Sequence, residues 1–146
     1  MRSMLSTLWI FLVLNYLYCD IVSLMDPDLL PQYLAGKVEG MDMSPGFLLG
    51  AGMLIEIPIA MVLVSKVVTS RRFNRGANIV AATIMTVVQT ATLFLGTPAL
   101  YYAFFSVIEI ATTAFIVWYA WRWRIDENIT TRRREPAAAH GVGRAG

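Results

Sequence analysis

The stretch from Gly46 to Val68, GFLLGAGMLIEIPIAMVLVSKVV, is long and apolar enough to cross a bilayer, and a carboxylate, Glu56, sits about half-way along it. A bilayer core of about 30 Å is crossed by roughly 20 consecutive apolar residues in a helix. Pro58 follows two positions later. Its ring cannot donate to the helix ladder, so a kink is predicted there, with a backbone carbonyl unpaired one turn back. In hydrocarbon, an ionisable side chain beside a broken backbone bond is expected to face protein or water rather than lipid.

Three further apolar blocks accompany this one, from about Leu5 to Met25, Ala77 to Leu95 and Ala99 to Trp121. They are apolar all round, whereas a soluble helical protein shows apolar stripes separated by polar faces. Charged residues make up only 15% of the 146, against about a quarter in an ordinary soluble domain. The expected fold is all-α, a four-helix transmembrane bundle over residues 1–124, with residues 125–146 a disordered basic tail. The first block is expected to be a retained span. Tyr16, Leu17 and Tyr18 before Cys19 are too bulky for a signal-peptidase site. The first loop, residues 26–45, is rich in proline and acid. After the third block, Gly96-Thr97-Pro98 predicts a tight helical hairpin.

Charge placement gives an orientation. All but Lys37 of the 12 Lys and Arg lie at the N-terminus, between the second and third blocks, or towards the C-terminus. With four spans these places share one side, and the positive-inside rule makes it the cytoplasm. The expected location is the cell membrane, multi-pass, with both termini cytoplasmic. Arg132, Arg133 and Arg134 are a topological and solvating run that anionic lipid can contact; so short a run is not expected to bind nucleic acid.

Each block carries one strongly polar side chain near its middle: Asn15, Glu56, Gln89 and Glu109. On the fourth block Tyr102, Ser106, Glu109 and Thr113 follow steps of four, three and four, one helical face. On the third, Asn78, Ala82, Met85, Gln89 and Thr92 form a similar stripe. Gly52 and Ala60 flank Glu56 at four residues either side, so that face is otherwise small. Asp20 is expected near the outer interface, where hydration makes its charge cheap.

No Lys or Arg lies deep enough to neutralise Glu56 or Glu109, and an ionised carboxylate at a helix centre costs about 2.5–3.5 kcal/mol on insertion scales. One or both are therefore expected to hold a proton. Glu56, Glu109, Asn15, Gln89 and Asp20 are the candidate proton- or cation-binding residues, and the competing reading makes them polar glue that fixes helix register. One cysteine and one histidine make no zinc site, and no cofactor is expected. A phosphate loop, a dinucleotide fingerprint and a nucleophile with a histidine base are all missing from the sequence, so an enzyme is not expected.

The segments LWIFLVLNYLYCDIVSLMDP, MLIEIPIAMVLVSKVV with RRFNRGANIVAA, and YYAFFSVIEIATTAFIVWYAWRW together resemble a bacterial family of small four-span membrane proteins of unknown function. The most specific part is Glu56-Ile57-Pro58-Ile59-Ala60-Met61 followed by Asn74-Arg75-Gly76-Ala77-Asn78-Ile79. Gly76 departs from a bulky aromatic in the family pattern. The resemblance implies location and architecture and transfers no catalytic residue. Size and an embedded glutamate also resemble the small multidrug-resistance transporters, whose essential carboxylate sits in the first span, where this chain has Asn15. The expected function is that of a small transporter or ion-handling subunit, working as a dimer because four short spans barely enclose a pathway. The alternative is a non-catalytic accessory protein whose polar layer is structural.

Overall fold

Each apolar block becomes one long helix. The computed structural model describes residues 2–38, 40–94 and 99–139, with side chains through Arg122. The long helices are α1 (Arg2–Leu24), α3 (Pro45–Val67), α4 (Arg71–Leu93) and α5 (Leu100–Ala139). A short α2 (Leu30–Leu34) and a minimal antiparallel pair, β1 (Lys37–Val38) with β2 (Met41–Asp42), fill the first loop. All four long helices contain a segment of 23 residues long and apolar enough to cross a membrane, Leu100–Arg122 in the case of α5. The protein is all-α in class. The Gly96-Thr97-Pro98 hairpin lies outside the described residues, as do the side chains of the 125–146 segment and the whole of 140–146; α5 continues to Ala139.

Local chemistry sets the ends. Ser44 caps α3, its Oγ accepting from the Phe47 amide at 3.2 Å, and Pro45 opens the first turn where its missing N–H costs nothing. α3 runs unbroken past Pro58 to Val67. The helix after it begins at Arg71, earlier than the apolar block at Ala77 suggested. Arginine is a good helix former, so α4 absorbs Arg71, Arg72 and Arg75 and the connection shrinks to Val68–Ser70. In the first loop Gly36 and Gly40 adopt φ of 70° and 83°, which side-chain-bearing residues rarely tolerate. They let the β1–β2 hairpin fold back so that Lys37 meets Asp42 at 3.2 Å, an exposed pair of little energetic weight.

The four long helices form a square. α1 packs on α3 and α5, and α4 packs on α5 and α3, so α3 and α5 occupy opposite corners. The inward stripe of α1 is Leu5, Trp9, Leu12, Tyr16, Cys19 and Ser23, spaced by fours and threes. Leu5, Trp9 and Leu12 meet Met61, Ala81, Ala82, Met85 and Ile116 in the apolar core. Such alternating spacing keeps one face of a helix on its neighbours.

Candidate functional site

Two polar regions lie inside the square, and they differ in whether their bonds are complete. The first is near the end that carries Arg2, Lys66 and Arg71. Asn74 and Asn78, four apart on α4, present both side chains inward, each with no exposed surface. Asn74 Nδ2 donates to the Ser65 carbonyl at 2.9 Å and the Val68 carbonyl at 3.1 Å, serving the last turn of α3. Asn78 Nδ2 donates to the Asn74 carbonyl and Oδ1, each at 2.8 Å. Asn78 Oδ1 accepts from Trp9 Nε1 at 2.7 Å and from Ser65 Oγ at 3.1 Å. The Ser6 hydroxyl donates to the Val62 carbonyl at 3.0 Å, and Arg2 reaches the Thr69 carbonyl at 2.8 Å. Three helices are thereby clamped with both amide groups fully used, as buried polar groups require.

The second region lies between α1, α4 and α5, towards the end that carries Asp26. The two helical stripes expected from spacing do face each other. Thr86 Oγ1 donates to Thr113 Oγ1 at 2.8 Å, Gln89 Nε2 to Ser106 Oγ at 2.8 Å, and the Tyr102 hydroxyl to Thr92 Oγ1 at 2.8 Å. Glu109 stands in the same α5 stripe, 1% exposed. It is about one turn from Ser106 and one from Thr113, and about 3 Å from the middle of the apolar part of α5. Among the described residues neither of its carboxyl oxygens has a hydrogen-bond partner, and neither does the Tyr16 hydroxyl of α1. Glu109 lies within electrostatic reach of Tyr16, Cys19, Asp20 and Tyr102. Beyond these, Tyr101 donates to Asp26 Oδ2 at 3.2 Å where α1 has just ended. Polar groups thus run from Asp26 at the end of the bundle to Glu109 near its middle.

The candidate residues named from the sequence separate into three environments. Glu109 and Gln89 belong to the second region, and Asp20, exposed on α1, is tied to it through its electrostatic reach to Glu109. Asn15 does not join it, since its Nδ2 turns back to the Phe11 carbonyl of its own helix at 2.9 Å. Glu56 is not brought to Glu109. It lies exposed on the outward face of α3, at the opposite corner of the square, where the expectation had it facing protein or water. The buried face of α3 is instead Pro58, Met61 and Ser65, about 140–180° around the helix from Glu56 at 100° per residue. Depth alone placed the four polar side chains in one layer; facing direction removes Asn15 and Glu56 from it.

The clamp and Tyr16 are the polar residues that sequence reading missed as a group. Asn74 and Asn78 lie in the segment whose resemblance was most specific, and their i, i+4 spacing at a helix start was the available signal. Trp9, which donates to Asn78, is a core residue, 0% exposed.

Chemically, an unsatisfied carboxyl in a dry interior costs its full desolvation unless a proton, an ion or water answers it. With a second carboxyl, a thiol and two phenols within electrostatic reach, the site is suited to exchanging a proton or holding a small cation. The fold and this site define a helical-bundle protein with four helices of bilayer-crossing length around a buried, unanswered acid. The chain belongs to DUF6326, a family of unknown function, which matches residues 1–130. No curated protein and no solved structure matches it.

Proposed function

We propose that this protein is a multi-pass component of a bacterial cell membrane, with both termini cytoplasmic, and that it is a small transporter or ion-handling subunit that takes up a proton or small cation at Glu109. The reading is carried by one observation: both Glu109 oxygens are buried without partners among the described residues, in a bundle whose buried Asn74 and Asn78 side chains are bonded at both ends. Evolution tolerates an unsatisfied buried acid where something must come and go. Asp20, Tyr102 and Tyr16 form the approach from the Asp26 end, and the Gln89–Ser106 bond holds α4 against α5 beside it. Purified protein in liposomes loaded with a pH-sensitive dye, or with a cation-sensitive one, tests this. Wild type should collapse an imposed gradient, and Glu109→Gln should slow that at least tenfold while inserting normally. Equal rates in the two proteins, or an inert wild type, would sink the reading.

The Asn74–Asn78–Trp9–Ser65 clamp favours a second reading, an accessory membrane protein whose polar groups are structural. It predicts that Glu109→Gln leaves any cellular phenotype of the gene intact, whereas Asn78→Leu abolishes it through loss of the folded chain.

A further inference from the structure

Glu56 presents the opposite problem to Glu109: it is not enclosed by its own chain. α3 is the most apolar of the four spans, yet only 11% of its apolar window is buried in the bundle, against 28% for each of the others. Glu56 is the twelfth of its 23 residues and stands on the face turned away from Pro58, Met61 and Ser65. For a helix that crosses a bilayer, that is a carboxyl aimed into lipid at the midplane, an arrangement membrane proteins do not sustain. Something other than lipid must cover it.

The residues around Glu56 say what. Leu49, Met53, Glu56, Ala60, Leu63 and Val67 are all exposed and spaced by four, three, four, three and four. Those steps make one continuous outward strip with Glu56 on it, the spacing that lets a second helix running the same course pack along it. A Cβ added at Gly52, beside this seam, would meet nothing within 4 Å, so the approach is open. Chemical complementarity selects the occupant. A second copy brings its own Glu56 to the same depth, and a carboxyl pair is self-complementary when it shares a proton: one oxygen donates, the facing one accepts. The other three long helices are engaged on their polar stripes, and among the described residues the seam is the one outward span face that carries an ionisable residue at mid-depth.

We propose that two copies of this chain pack α3 against α3 about a two-fold axis along the membrane normal, and that the two Glu56 carboxyls form a proton-holding pair on that axis. The pairing rests on the helices spanning a bilayer and is independent of the Glu109 site. The partner copy completes a site that one chain cannot close.

Full-length protein with Cys19→Ala and single cysteines on α3 tests this in native membranes by oxidative cross-linking. Cysteines at Met53, Ala60 and Leu63 should give the homodimer in high yield. Those at Leu48 and Ile55, which are 53% and 43% exposed but lie about 80–100° off the seam, should give several-fold less. Glu56→Gln, which keeps a donor and an acceptor, should retain the Met53 cross-link. Glu56→Leu should weaken association about tenfold in a detergent dilution series. No cross-link on the seam with the chain in the membrane, equal yields at seam and flank, or adducts only to a different protein would each overturn the pairing. A chain recovered outside the membrane would overturn the location as well. If Glu56→Leu fails to accumulate, the cysteine series with Glu56 intact decides the matter alone.

Discussion

At the scale of single residues, the two buried polar regions predict opposite responses to the same kind of change. Glu109 is unbonded and 1% exposed, so it contributes desolvation cost without a compensating bond. Replacing it by methionine, which is similar in size and adaptable in shape, should raise the stability of the bundle by about 1–3 kcal/mol. Asn78 is the reverse case. Asn78→Leu strands Trp9 Nε1 and the Ser65 hydroxyl, both of which donate to its Oδ1, and should cost about 1–3 kcal/mol. Denaturation of each variant in mixed micelles reads both signs in one assay. Stabilisation at 109 together with loss of gradient collapse is the signature of a residue kept for what it does. A destabilised Glu109→Met would instead mean that the acid has a structural partner, and would count for the accessory reading.

At the scale of elements, the helix starts are where sequence and structure diverge most instructively. Ser44 and Pro45, assigned from the sequence to the first loop, cap and open α3, and Ser44→Ala should cost about 1 kcal/mol locally. Hydrogen exchange at the Phe47 amide, which now donates to Ser44 Oγ, should speed about fivefold; an unchanged rate would show that the cap bond contributes nothing. The start of α4 was not legible from apolar runs, because arginines at 71, 72 and 75 end a hydrophobic block without ending a helix. Helical spacing correctly turned Ser106, Glu109 and Thr113 to one buried side, and Asn78, Ala82, Met85 and Gln89 to another. It could not tell which face of α3 meets its neighbours. Spacing gives a stripe, but α3 has two, Glu56 with its heptad partners and Pro58 with Met61 and Ser65. Only the tertiary packing chooses between them. The stripe with Glu56 and the small residues Gly52 and Ala60 looked like the inner one, whereas the packing turns Pro58, Met61 and Ser65 inward.

At the scale of the whole molecule, the ends of the square differ in charge, and the difference fixes a testable orientation. Arg2, Lys66, Arg71, Arg72 and Arg75 gather where α1 and α4 begin and α3 ends. At the other end Lys37 is held by Asp42 at 3.2 Å, so the first loop, with Asp26 and Asp28 uncancelled, carries an acidic excess. Moving an arginine through hydrocarbon costs about 2.5–3.5 kcal/mol on insertion scales, so the proposed membrane location predicts that the basic cluster stays on the cytoplasmic face. Under that orientation the Asp26 end of the polar stripe lies on the outer side, and the proposed proton or cation would approach Glu109 from there. In a background with Cys19→Ala, a cysteine at the exposed Asp28 should react with a membrane-impermeant maleimide in intact cells. One at the exposed Thr69 should react only after the membrane is permeabilised. Replacing Arg71, Arg72 and Arg75 by asparagine should mix the two patterns, because much of the bias between α3 and α4 is then gone. Labelling at position 69 before permeabilisation in the otherwise native chain would invert the molecule, and with it the direction from which Glu109 is reached.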